Sequence, residues 1–179
     1  MTKQEVRILV LAKARIEPGN RVIDVGAGTG SLSVEAALLS GTGLVTAIER
    51  EAAGIDLIRA NAARFGAANV QAIQGEAPAA LAGLEPADAV LIGGSGGHLE
   101  AIVAAADRLL KPGGRIVITA VTVETLTAAL QLLEQRPGYT AESCGVQITR
   151  IRKAGASHMF QGLNPVYIIT GCKEDNRTH

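Results

Sequence analysis

Aromatic side chains are almost missing from this chain of 179 residues: no Trp, two Phe and two Tyr, 2% of the total. A protein so poor in rings offers no stacking platform for nucleic-acid bases, and its core must be built from Val, Ile, Leu and Ala. Charge of one sign is lacking too. Seventeen basic and seventeen acidic residues leave a formal net charge of +0, so no global field draws in a phosphate backbone and nucleic acid is disfavoured as a partner. Cysteine is scarce. Cys144 and Cys172 lack C-x-x-C spacing and read as small apolar residues on late strands rather than as ligands or a bridge, so no metal site is expected. No apolar run approaches the roughly 18 residues that a membrane helix needs, and charges within the first seven residues replace a signal-peptide core. The chain reads as cytoplasmic, without a membrane partner, and as one domain over residues 1–179, long enough to bury a core without metals or disulfides.

Glycine, by contrast, is abundant, with 21 residues, and its placement carries the chemistry. Val22-Ile23-Asp24-Val25 runs into Gly26-Ala27-Gly28-Thr29-Gly30, and nineteen residues after Gly30 comes Glu49, closing the run Leu44-Val45-Thr46-Ala47-Ile48. Three close glycines could serve only as a tight strand-to-helix turn. The acid one strand later tips the reading to a nucleotide-like ligand, whose ribose hydroxyls a carboxylate at that point can accept. A dinucleotide site needs G-x-G-x-x-G, but here the third glycine comes one residue early and Ser31 takes the last position. That spacing favours S-adenosylmethionine (SAM) over NAD.

Short apolar runs near 21–25, 44–48, 70–73, 88–93 and 115–121 alternate with helical patterns near 31–40, 51–65 and 97–110, which predicts a doubly wound, mostly parallel sheet. Gly66 suits a helix C-terminus, and Lys111-Pro112-Gly113-Gly114 ends the third helix before Arg115. After a further helix near 122–135, Tyr139 to Ile151 and Leu163 to Cys172 are two extended runs with no helix between them, so they pair antiparallel. A Rossmann-like parallel sheet ending in such a hairpin is the architecture of SAM-dependent methyltransferases rather than of dehydrogenases. At the front, Thr2-Lys3-Gln4-Glu5 fits a capping box that starts a helix.

Several further positions are candidates. Asp24 is placed to accept amides of the glycine turn and hold its shape. Glu76 and Ala77 follow the third strand, where an acid and an amide can meet the edge of adenine. Gly93-Gly94-Ser95-Gly96-Gly97 ends the fourth strand, facing the point where a methyl group would leave; its amides can form an anion-binding nest, which makes it the substrate-side loop. His98 reads as a helix start. No paired carboxylates, Ser-His-Asp set or activated cysteine can be argued from spacing, so the catalytic group is unassigned, and positioning and desolvation are the enzyme's expected share.

Taken in order, Thr2-Lys3-Gln4-Glu5-Val6-Arg7, Asp24 to Gly30, Gly75-Glu76-Ala77-Pro78, Gly93 to Gly97 and Lys111-Pro112-Gly113-Gly114 resemble one family over nearly the whole chain: the decarboxylating cobalt-precorrin-6B methyltransferases of cobalamin biosynthesis. The resemblance implies methylation of carbon 15 of a corrin precursor with loss of carbon dioxide from the acetate on carbon 12. It also implies a homotetramer; a functional partner that methylates carbon 5 belongs to the competing reading of the chain as a non-catalytic SAM-binding subunit. Cofactor contacts carried over fall on Thr2, on Gly26, Ala27, Gly28, Thr29 and Gly30, on Glu49 and on Ala77. Glu49 and Glu76 stand where aspartate is common, and the sequence opens directly on Thr2, so the first helix is expected to be less firmly anchored over the cofactor. The implied substrate carries many carboxylate arms, which a neutral protein holds with local cations. Arg150 and Arg152, placed on one face by strand alternation, are the candidates with Lys153 and Arg7. The competing readings are a methyltransferase of another small molecule and a non-catalytic SAM-binding subunit; a nucleic-acid methyltransferase is weaker, because no Asn-Pro-Pro-Tyr or Asp-Pro-Pro-Tyr set follows the fourth strand.

Overall fold

The structure is a computed structural model, and it describes residues 3–175. Helix α1 (Gln4–Ala14) precedes an alternation of β1 (Val22–Val25), α2 (Ser31–Ser40), β2 (Val45–Glu49), α3 (Ala52–Arg64), β3 (Val70–Gln74), a 3-10 turn (Ala79–Leu81), β4 (Ala87–Ile92), α4 (Leu99–Leu109), β5 (Leu110–Ala120) and α5 (Val123–Glu134). Four strands follow: β6 (Tyr139–Val146), β7 (Thr149–Ala154), β8 (Ser157–Gly162) and β9 (Val166–Lys173). The main sheet has seven strands in the order β3-β2-β1-β4-β5-β9-β6, parallel through β5 and then antiparallel.

Both faces of the sheet are covered, which is why strands such as Val22–Val25 are buried at every position. On one face, Val6, Val10 and Leu11 of α1 and Val34, Ala36 and Ala37 of α2 meet Val22, Val45, Leu91, Val117 and Ile168, while Ile55 and Ile58 of α3 cover Ala47. On the other, Leu99, Ile102, Val103 and Ala106 recur at helical spacing along α4 and pack, with Leu133 of α5, on Ile23, Val90, Ile116 and Ile169. Gly66 follows α3 at φ +68°, a conformation that favours glycine. The hydroxyl of Thr122 caps α5 by accepting from the amide of Thr125 at 3.2 Å.

The structure departs from the expected strands in two places. The strand after α4 begins at Leu110 rather than Arg115, because a register shift opposite Ala87–Ala89 takes up the Lys111–Gly114 segment. The run expected from Tyr139 to Ile151 is two strands. Only Tyr139–Val146 pairs with β9; Thr149–Ala154 instead pairs with Ser157–Gly162 as a separate two-stranded ribbon, turning at Gly155. Its residues are exposed along both strands.

Helix α1 is tied over Gln4–Ala14 to three other elements. Arg7 donates to Glu35 of α2 at 2.8 Å, Lys13 to Glu142 of β6 at 2.9 Å, and Arg150 of β7 meets Glu5 at 2.7 Å. Thr2 itself lies outside the described residues. The structure places Lys3 at the helix N-cap, with no side-chain cap bond recorded there.

Candidate active site

Strand order reverses between β1 and β4, and in open α/β sheets ligands bind outside the carboxyl ends of the strands at such a point. A cleft of about 290 Å³ opens there. Its walls come from the ends of four strands: Val25 and Gly26 after β1, Ile48, Glu49, Arg50 and Glu51 at β2, Gly75, Glu76 and Ala77 after β3, and Gly94, Ser95 and Gly96 after β4, over a floor formed by Ile102 of α4.

Backbone bonds hold these loops to the strands. The amides of Gly26 and Ala27 both donate to the carbonyl of Ile48 at 3.0 Å, Gly75 to Glu49 at 3.0 Å and Gly93 to Val25 at 3.0 Å. The three glycines of the turn have distinct tasks. A side chain on Gly26 would stand 2.9 Å from the carbonyl oxygen of Gly94, so its absence lets the first and fourth loops touch. One on Gly30 would stand 2.8 Å from Ile58 of α3. Gly28, at φ +59°, faces nothing within 4 Å, so it alone leaves open space against which a ligand can lie.

Glu49 is the anchor of the site. One carboxylate oxygen accepts from the amide of Gly28 at 2.8 Å and the other from the amide of Glu51 at 3.0 Å. These bonds fix the side chain across the mouth of the cleft while leaving further lone pairs for hydroxyl donors. The length of Glu rather than Asp is accommodated by Gly54 of α3, where a Cβ would come within 2.6 Å of the Glu49 Cγ. Asn61, also on α3, donates to the carbonyl of Thr29 at 2.8 Å and braces the turn from behind.

Asp24 corrects one expectation. It is buried and does not hold the turn through the amides of the glycines; it accepts from the Ser33 hydroxyl at 2.5 Å and so ties β1 to the first turn of α2. Burial raises its pKa from 3.8 to about 6, against the lowering effect of the Ser33 hydrogen bond and with a further push from the Glu49 carboxylate.

The predicted residues do not all converge. Gly26, Glu49, Glu76, Ala77, Gly94, Ser95 and Gly96 line the cleft, with Ala27, Gly28, Thr29 and Gly30 forming its rim turn. Gly93 joins β4 to the loop, and Gly97 lines a neighbouring shallow groove with His98, which stands at the N-cap of α4. Arg150 and Arg152 belong to β7 rather than to the sixth strand of the sheet, away from the cleft walls, and Arg150 is engaged by Glu5. Arg7 is committed to Glu35 inside the α1–α2 contact, its side chain 15% exposed, which removes it as a surface cation. Reading the sequence missed Gly54, Ser33 and Ile102. An i+5 glycine after the strand-end acid was the only trace of the first.

This arrangement offers a fixed carboxylate and open backbone to a ligand that carries hydroxyl donors. A family model described as the precorrin methyltransferase domain matches residues 1–173. The chain belongs to this family. The cobalt-precorrin-6B C(15)-methyltransferase (decarboxylating) of Salmonella typhimurium is 43% identical over 176 residues, 98% of this chain and 91% of the relative. Among solved structures, the precorrin-6Y C5,15-methyltransferase of Geobacter metallireducens superposes with a TM-score of 0.91 at 43% identity, covering 97% of this chain and 91% of that one. The C-terminal domain of the enzyme of the same name from Rhodobacter capsulatus gives 0.85 at 34%, covering 97% and 91%. Family members of this kind are methyltransferases built on a Rossmann-like sheet, and the observed sheet with its terminal antiparallel pair has that architecture.

Proposed function

We propose that the protein binds SAM in the cleft at the β1–β4 switch point and methylates carbon 15 of a corrin precursor, with loss of carbon dioxide from the acetate on carbon 12, in cobalamin biosynthesis. The observation that carries this reading is the pairing of the Gly28 opening with the doubly held Glu49 carboxylate, in a chain whose near full-length relative is named for that reaction. Glu49 would take the ribose hydroxyls, Glu76 and Ala77 the adenine edge, and Thr2 with the turn Gly26 to Gly30 the remainder of the cofactor. When bound, SAM supplies an electrophilic methyl group. The chain's own share is to orient and to exclude water: Ile102 gives the cleft an apolar floor, and the loop Gly93 to Gly97 lets an acceptor approach closely. A cobalt-bearing or cobalt-free corrin precursor is the substrate, and Arg152 on the exposed ribbon is available for its carboxylates.

The protein is read as a cytoplasmic homotetramer; among the described residues no helix is long and apolar enough to cross a membrane. The ribbon β7–β8 supports assembly, since Ile151, Met159 and Phe160 are 65%, 60% and 80% exposed. A partner that methylates carbon 5 is supported by the C5,15 activity in the names of the solved relatives, one of which is the C-terminal part of a longer protein.

Calorimetry with SAM, S-adenosylhomocysteine and NAD tests the site, and turnover of cobalt-precorrin-6B by the isolated protein tests the reaction. Glu49→Ala is expected to weaken S-adenosylhomocysteine binding by roughly 1.5–3 kcal/mol, the scale of hydrogen bonds to a charged group. Tighter binding of NAD than of SAM would overturn the cofactor assignment.

A further inference from the structure

Beside the fourth loop, on the side away from the cofactor cleft, the sheet ends in apolar side chains that its core does not use. Val121 and Val123, directly after β5, are 72% and 73% exposed, and Tyr167 at the start of β9 is 39% exposed. Register places all three at one end of the sheet, Tyr167 opposite Ala120 and the two valines just beyond it. Ile92 pairs with Ile118, so Gly93 and Gly94 leave β4 alongside Thr119 and Ala120; Ala120 in turn pairs with Tyr167. Tyr167 therefore stands about two inter-strand spacings, ~10 Å, from the loop Gly93–Gly97.

The position of this tyrosine is arranged rather than incidental. Gly145 of β6 lies opposite it, and a Cβ there would stand 3.0 Å from the Tyr167 ring, so the missing side chain is what allows the ring its place. The other tyrosine, Tyr139, gives its hydroxyl to Asp107 at 2.8 Å, at the far end of the sheet. The Tyr167 hydroxyl has no hydrogen-bond partner among the described residues. In a chain with four aromatic residues, one ring is thus held half open at the same end of the sheet as the β1–β4 cleft and the two exposed valines.

We propose that Tyr167, Val121 and Val123 form the platform on which the flat, conjugated face of the acceptor rests, with the ring of Tyr167 the specificity-determining contact. The inference rests on the corrin reading of the preceding subsection. A conjugated macrocycle presents a broad apolar face with its carboxylates at the rim. Such a face needs an exposed apolar seat within about one ring's width of the transferring methyl group, whereas the polar arms remain in water or meet cations. An amphipathic ring suits the seat, because its apolar body contacts the macrocycle while its hydroxyl stays hydrated.

Three variants of the full chain test the platform: Tyr167→Ala, Tyr167→Phe and Val121→Asp. Each is measured for S-adenosylhomocysteine affinity by calorimetry, for uroporphyrin binding by absorbance titration as a planar octacarboxylate probe, and for KM and kcat with cobalt-precorrin-6B. Tyr167→Ala and Val121→Asp are expected to raise the acceptor KM and the uroporphyrin Kd at least tenfold while S-adenosylhomocysteine binds as in the wild type. Tyr167→Phe, which keeps the ring, should stay within threefold. Acceptor binding unchanged in both Tyr167→Ala and Val121→Asp overturns the platform and leaves the functional reading standing. A loss in Tyr167→Phe equal to that in Tyr167→Ala overturns the apolar contact in favour of the hydroxyl, and a parallel loss of S-adenosylhomocysteine binding in Tyr167→Ala and Val121→Asp overturns it in favour of a structural role. A wild-type protein that binds S-adenosylhomocysteine but neither binds uroporphyrin nor methylates the precursor overturns the corrin reading and the platform with it.

Discussion

Raising the pH is expected to destabilise this protein through Asp24. Its carboxyl is buried beneath the glycine turn with a pKa of about 6 against an ordinary 3.8, chiefly because burial disfavours the charge. Well below pH 3.8 the group is protonated whether the chain is folded or not, and its contribution is fully present. Between about 4 and 6 the unfolded chain ionises while the folded one does not, so stability falls with pH, and above the folded pKa the loss is complete. A difference of roughly two units at 1.36 kcal/mol each is roughly 3 kcal/mol, equivalent to roughly 6–12 °C of melting temperature for a domain of this size. Asp107 and Glu142 work in the opposite sense. Burial alone would raise Asp107, but Tyr139, Lys173 and Arg136 together pull it below its ordinary value, and Lys13 lowers Glu142, so both lose stability as pH falls. The assay must cancel them. Urea unfolding of the wild type and of Asp24→Asn, each from pH 4 to pH 7.5, gives a difference curve in which the other groups drop out. The wild type should lose roughly 2–2.5 kcal/mol relative to the variant across that range, the remainder of the change falling below pH 4, whatever the constant offset between them. Glu49→Gln should shrink the change, because the Glu49 charge adds to the shift. A flat difference curve would refute the argument and place an ionised Asp24 in the folded protein from pH 4 upward.

Gly54→Ala should lower S-adenosylhomocysteine affinity at least fivefold by calorimetry, since the added methyl group collides with the Glu49 side chain; an exposed helix would otherwise gain about 1 kcal/mol from that exchange, and unchanged affinity would show that Glu49 can move aside. Replacing Ile151 and Phe160 together by Ser is expected to reduce the mass seen by light scattering without loss of helical signal, whereas a wild type that is monomeric at micromolar concentration would rule out the ribbon as an interface. Carbon dioxide release from the precursor should require SAM, because only a methylated, electron-poor ring system can draw electrons from the acetate carboxylate; stoichiometric release without the cofactor would show the two reactions to be independent.

Much of the site was legible because its signals are local. The buried run Val22–Val25, three glycines and an acid at a fixed distance define a strand, a turn and the end of the neighbouring strand, and the structure brings Val25, Gly26 and Glu49 to one cleft. What escaped depends on contacts between segments. Nothing in Gly145-Val146-Gln147-Ile148 marks a break between strands, since its alternation continues into Thr149; the only local sign of the ribbon is Gly155, whose φ of +60° serves a two-residue hairpin turn. The reach of Glu49 over Gly54 is a matter of fit between a strand and a helix, and the commitment of Arg7 to Glu35 depends on how α1 lies on α2. A charge alone does not say whether it faces a substrate or another helix.

The ribbon leaves and re-enters the sheet between neighbouring strands. Val146 and Val166 pair directly, and the amide of Leu163 donates to the carbonyl of Ile148 at 2.9 Å, so the two ends of the excursion are fastened together at its base. Closing that loop is therefore the work of β6 and β9, and the entropic cost of further length grows only with its logarithm. The arm can be lengthened, shortened or exchanged without asking the catalytic half of the sheet to rearrange. Its sequence is free to follow whatever it touches, while the cleft at the β1–β4 switch point, whose nearest wall is three strands away from β6, stays as it is.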